Sequence, residues 1–123
     1  MTSIFPDSIT ALPLANIPLD GATAYLSQAV SHQILFMEFA DGVDLPEHAH
    51  GAQTGFVLEG RIDLVIDGQE FTFGKGDRYH IPAGVRHSGR IHAGYADITF
   101  FDEPSRYAVK KGPGPAEPRS TRY

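Results

Sequence analysis

Gly42-Val-Asp-Leu-Pro46-Glu-His48-Ala-His50-Gly-Ala-Gln53 and, further on, Gly76-Asp-Arg-Tyr-His80-Ile-Pro82-Ala-Gly84-Val-Arg-His87 are the two stretches on which the reading of this chain turns. His48 and His50 are two residues apart, so in an extended strand both imidazoles stand on one face. His87 follows a Pro-x-Gly turn, where a closed sheet would return it to that pair. Neutral imidazole is the commonest side-chain metal ligand. The two stretches therefore predict one divalent metal site held by His48, His50 and His87 inside a β-barrel.

Strand candidates surround these stretches at roughly eight- to ten-residue intervals. Residues 32–40 are nearly continuous in apolar content and predict a strand buried on both faces. Residues 43–50, 53–59 and 61–66 follow, and Pro46 is tolerable where the strand leaves its nitrogen unpaired. Asp67-Gly68 lies between Leu64-Val-Ile66 and Phe71-Thr-Phe73, a two-residue hairpin signal. Residues 79–81, 89–92 and 95–101 complete the set. Residues 20–30 read better as strand than as helix, and no segment predicts an amphipathic helix. This rhythm belongs to a sandwich or barrel and not to alternating βα units. The predicted fold class is all-β.

Three divisions follow. Residues 1–18 hold Pro6, Pro13 and Pro18 among Ile4, Phe5, Ile9 and Leu12, which predicts an extended arm. Those apolar side chains need cover, either from their own barrel or from a partner subunit in a homodimer. Residues 19–104 form the barrel. Residues 105–123 include Gly112, Pro113, Gly114, Pro115 and Pro118 and predict a flexible tail.

Composition narrows the classes of function. The chain has 123 residues, with 41% hydrophobic and 20% charged side chains, ordinary values for one globular domain. A formal charge of −5 argues against nucleic acid or an anionic membrane surface as partner. Cysteine is absent, which removes disulfides, thiolate ligands and cysteine nucleophiles. No apolar run is long enough to span a bilayer, and the first residues lack the pattern of a secretory signal. A cytoplasmic location is expected.

The two stretches resemble the paired motifs of the cupin superfamily, across roughly residues 30–102. Gly42, His48, His50 and Gly60 fall at the positions of the first motif, and Gly76, Pro82, Gly84 and His87 at those of the second. The resemblance implies a jelly-roll-like barrel, the double-stranded β-helix, usually dimeric, with a metal on the motif residues. Two positions depart from the pattern. Ile91 stands at the family's asparagine, and Gln53 stands near the family's glutamate, one residue closer to His50 than usual. The resemblance then implies a site of three histidines and one glutamine. An amide does not neutralise a cation, so such a site favours an anionic or chelating substrate and Lewis-acid chemistry over redox chemistry.

Outside the motifs, Asp97 and His80 are the candidates to carry a proton. Asp97 lies on a strand whose register the turn at Ala93-Gly94 hides, so its facing is open. Glu47 precedes His48 and is expected to point away from the ion. Arg78, Arg86 and Arg90 read as surface charge. The function expected is a non-redox, metal-dependent isomerase or lyase on a small polyoxygenated or sugar-acid substrate, using one ion of zinc, nickel, manganese or iron. The alternatives are a module that binds a small-molecule ligand without turning it over, and a metal-dependent dioxygenase.

Overall fold

The computed structural model describes residues 3–110. Nine strands make up two antiparallel sheets, as the all-β reading expects. The strands are β1 (Ala22–Gln28), β2 (Gln33–Phe39), β3 (Val43–His48), β4 (Gln53–Glu59), β5 (Arg61–Ile66), β6 (Gln69–Gly74), β7 (Arg78–Ile81), β8 (His87–Ile91) and β9 (Ala96–Phe101). One sheet has the order β1-β2-β9-β4-β7 and the other β3-β8-β5-β6. Their inner faces enclose the core and a cavity. No helix among the described residues is long and apolar enough to cross a membrane.

Alternation sets which side chains reach the interior. On β2, Gln33, Leu35, Met37 and Phe39 are buried, while Ile34, Phe36 and Glu38 between them are half-buried. The near-continuous apolar run thus serves one fully buried face and one partly covered face. The cover comes from the arm. Phe5 is buried and meets Phe36 and Tyr25 edge to face, at centroid distances of 5.7 and 6.2 Å, a favoured geometry for aromatic pairs. Of the two expected ways to bury the arm, this side chain takes its own barrel.

The arm departs from an extended course once, in a single helical turn, α1 (Asp7–Thr10). Pro6 precedes that turn, with the φ a first-turn proline supplies and a carbonyl that accepts from Ile9 and Thr10. Beyond it, Leu14 and Ala15 bridge to Tyr25 and Val109. Asn16 N–H donates to Ala108 O at 2.8 Å, and Lys110 N–H donates to Leu14 O at 2.7 Å. The start of the segment read as a tail therefore lies against the arm; residues 111–123 fall outside the described residues.

Gln33 fixes this segment from inside. It is fully buried, donates to Tyr107 O at 2.8 Å and accepts from Tyr107 N–H at 3.0 Å. A buried amide needs partners for both ends, and the Tyr107 backbone supplies them. The Asp67-Gly68 hairpin forms as read, with both residues at positive φ, 51° and 79°, the geometry of a type I′ turn.

Candidate metal centre

The three motif histidines meet. His48 ends β3 and His87 opens β8, and the two are direct cross-strand partners. Their register shifts between Leu45 and His48, where Pro46 has no N–H to give the ladder. His50 lies just beyond β3, in a loop and not in the strand expected for it. Its carbonyl accepts from Gly84 N–H at 2.9 Å, which ties the first motif to the Pro-x-Gly turn of the second. Ring centroids are 5.1 Å apart for His48 and His50, 4.2 Å for His48 and His87, and 4.8 Å for His50 and His87. One ring nitrogen from each lies within 4.8 Å of the others, a group able to hold a metal ion.

The backbone decides which nitrogens are available. His48 Nδ1 lies 2.7 Å from Pro46 O, His50 Nδ1 2.8 Å from Gly51 O, and His87 Nδ1 3.0 Å from Val85 O. A carbonyl only accepts, so each Nδ1 carries the proton and each Nε2 keeps its lone pair. This is the usual outer arrangement of a metal-binding histidine. Burial, the largest cause, holds the His50 and His87 imidazoles below their ordinary pKa, and the Arg106 charge and neighbouring imidazoles add to it. Neutral rings are the form that binds a cation. The donor set fits a divalent metal.

The histidines open on a cavity of about 340 Å³ between the sheets. Gln53, the first residue of β4, borders it and donates from Nε2 to Tyr79 Oη at 3.4 Å. The Tyr79 ring crosses Gly55, where any Cβ would collide with it. Asp97 borders the same cavity and is buried, which resolves its facing. Its Oδ2 accepts from Tyr95 Oη at 2.6 Å and its Oδ1 from Thr99 Oγ1 at 3.0 Å. Burial pushes the Asp97 carboxyl up to about 7, against the lowering effect of those hydroxyls. Burial first, and then the Asp97 charge, also raises the Tyr79 and Tyr95 phenols.

Other expected residues lie elsewhere. His80 does not border the cavity. It stands exposed between inward Tyr79 and Ile81 and shares a 2.9 Å hydrogen bond with Thr54. Strand alternation, which brings Tyr79 inside, puts His80 outside. Glu47 is exposed and pairs with Arg86 at 3.3 Å, and Arg90 pairs with Asp44 at 2.7 Å. The unexpected member is Arg106, which borders the cavity with its guanidinium 4.4 Å from the Tyr107 ring. No spacing in the sequence points to it, because its position depends on the clamp between Gln33 and Tyr107.

A family model described as "Cupin domain" matches residues 35–112. The chain belongs to the cupin superfamily. A segment of 51 residues, 42% of the chain, is 38% identical to quercetin 2,3-dioxygenase of Bacillus subtilis (strain 168) and spans 15% of that enzyme. Among solved structures, an RmlC-like cupin from Shewanella frigidimarina superposes with a TM-score of 0.67. It is 21% identical, with 85% of this chain and 94% of that one covered. Oxalate decarboxylase of Bacillus subtilis, described with Mn(II) centres, superposes at 0.60 with 22% identity, covering 74% of this chain and 28% of that one. At such identities the structural likeness speaks for the fold alone.

Proposed function

We propose that this cupin is a metal-dependent enzyme of isomerase or lyase type that moves a proton on a small oxygenated acid. One observation carries the reading: a three-histidine group and a carboxyl titrating near neutrality face one cavity. The chemistry a bound divalent ion supplies is polarisation of a carbonyl or hydroxyl oxygen. His48, His50 and His87 are the proposed ligands, through Nε2, with the side-chain oxygen of Gln53 as the fourth. The Gln53 nitrogen is turned to Tyr79, which leaves that oxygen as the free donor atom.

Asp97 is the proposed proton carrier. A carboxyl with a pKa near the working pH exists in both forms, as general acid–base catalysis requires. Tyr95 and Thr99 hold it through their hydroxyl protons, so its ionised form keeps two donors after a proton has left. The surrounding apolar side chains, among them Phe39, Ile62, Leu64 and Ile91, exclude water. A homodimer remains part of the proposal, although Phe5 buries within its own chain and so gives it no support.

The test is metal exchange with turnover. Protein stripped by chelator and reloaded with Mn²⁺, Fe²⁺, Ni²⁺ or Zn²⁺ is incubated with small hydroxy and keto acids in D₂O. Metal-dependent deuterium incorporation or isomerisation, followed by NMR, is the expected result. Equal turnover by stripped and loaded protein sinks the reading. The segment shared with quercetin 2,3-dioxygenase favours a second reading, a dioxygenase. Oxygen uptake that tracks iron loading and substrate would replace the first with it.

A further inference from the structure

We propose that Arg106 is the anion-binding residue of this cavity, and that the ligand it selects is a small carboxylate with an apolar body. This rests on the reading of the cavity as a substrate site. The guanidinium lies 4.4 Å from the Tyr107 ring centroid and 5.7 Å from that of Phe101. Packing over an aromatic face holds a guanidinium by its π surface and leaves its edge donors free. Arg106 Nε is buried with no hydrogen-bond partner among the described residues. Buried donors are otherwise almost always paired.

No carboxylate among the described residues lies within ion-pair distance of Arg106. Glu103, three residues earlier, is engaged elsewhere. Its Oε2 accepts from Gly51 N–H at 2.8 Å and lies 3.9 Å from His50 Nδ1. The Arg106 charge acts on both His50 and His87, and the Phe101 ring lies near both, 5.6 Å from the His50 ring and 5.7 Å from the Arg106 guanidinium. One ligand would therefore lie between the guanidinium and the cation that the histidines would hold. A carboxylate matches the guanidinium fork with two parallel hydrogen bonds, and a further oxygen on the ligand would face the cation that the histidines would hold.

The walls choose the body. Met37, Leu45, Ile62, Leu64, Ile81 and Ile91 line the space between. A polyhydroxylated chain would bury hydroxyls there without partners, which is costly. An alkyl or aryl body loses nothing. The sugar-acid expectation narrows accordingly to acids with few hydroxyls.

Isothermal titration of the full chain, metal-free and Mn²⁺-loaded, tests this with benzoate, its neutral isostere benzamide, and glucuronate. The wild type should bind benzoate at least tenfold more tightly than benzamide and more tightly than glucuronate. Arg106→Gln should weaken benzoate at least tenfold, leave benzamide unchanged and take up Mn²⁺ like the wild type. Arg106→Lys should fall between, since it keeps the charge and loses the fork. Benzoate affinity unchanged in Arg106→Gln, or equal affinities of the wild type for benzoate and benzamide, overturns the anion site. Glucuronate binding more tightly than benzoate overturns the apolar body. The wild-type ratios decide even if Arg106→Gln fails to fold. Loss of Mn²⁺ uptake by the wild type, with benzoate discrimination intact, would sink the metal reading and leave this one standing.

Discussion

The histidine group and the Asp97 group share one cavity and are held by different partners, backbone carbonyls for the first and side-chain hydroxyls for the second. Each imidazole hands its Nδ1 proton to a carbonyl of its own chain segment, one or two residues away. Asp97 is held by hydroxyls of Tyr95 and Thr99, both two residues away on either side, within a wall that also carries Tyr79 and Gln53 from other strands. Each imidazole of the first group is anchored locally, at a strand end or in a loop. The second depends on inward-facing positions of β9, β4 and β7 coming together. Local anchoring leaves three lone pairs open to a cation. Burial with side-chain donors leaves one carboxyl balanced between two charge states.

The largest effect should come from breaking the first group. His48 is half-buried, so His48→Ala removes a ligand with little loss of packing. We expect divalent-metal affinity to fall at least about a hundredfold. The thermal stabilisation given by excess ion, about 2.7 kcal/mol at a hundredfold excess over Kd, should fall to about 0.4 kcal/mol or less at the same ion concentration. Titration calorimetry and melting with and without Mn²⁺ check both. Metal binding should also persist below pH 6.5 in the wild type, because burial keeps His50 and His87 neutral there. Wild-type affinity in the His48→Ala protein would remove the histidine group from the site.

Asp97→Asn sharpens the contrast from the other side. The Asp97 carboxyl is raised in the folded state, from 3.8 to about 7, so the folded chain binds this proton more tightly than the unfolded chain. Its contribution to stability is whole below pH 3.8, shrinks as pH rises and is gone above about 7. The change is roughly 4 kcal/mol at 1.36 kcal/mol per unit. Asp97→Asn should lack that decline, so its stability should gain on the wild type between pH 4 and pH 8 in denaturant titrations. Turnover, on the proposed reading, should fall at least about a hundredfold. Parallel stability–pH curves would place the ionised carboxylate in a better-solvated setting than the hydrogen bonds indicate.

Gly55→Ala should act on the link between the two groups. A methyl group there meets the Tyr79 ring, which must move and release its contact with Gln53. The cost expected is about 1–3 kcal/mol, the range for overpacking a core. Metal affinity should change less than in His48→Ala, because no imidazole anchor involves Tyr79. A melting curve and a metal titration separate the two effects.

How far each group could be read from sequence follows from the same difference. The histidines carry a spacing, two apart and then a Pro-x-Gly turn before the third, and spacing survives in one dimension. So did the hairpin at Asp67-Gly68 and the alternation of β2. Asp97 had no such mark. It sits among apolar residues on β9, and its pairing with Met37 of β2 and Val57 of β4 settles its inward facing. Arg106 was less legible still, since its place is set by Gln33, more than seventy residues earlier, gripping the Tyr107 backbone. A side chain positioned by a partner so distant leaves no period to detect.

His80 gives the smallest effect and the cleanest check on that argument. It stands beside Tyr79 in sequence, and its residue type made it a candidate, yet alternation on a four-residue strand is strict. Tyr79 and Ile81 are buried, and His80 between them is exposed. Its one side-chain hydrogen bond among the described residues is with Thr54, at the surface. An exposed hydrogen bond exchanges readily with water, so His80→Ala should change stability by no more than about 0.5 kcal/mol. Metal affinity and turnover should match the wild type, measured beside His48→Ala in the same buffers. A substantial loss of either would mean that β7 presents its other face to the cavity, which would expel Tyr79 and undo the wall that holds Asp97.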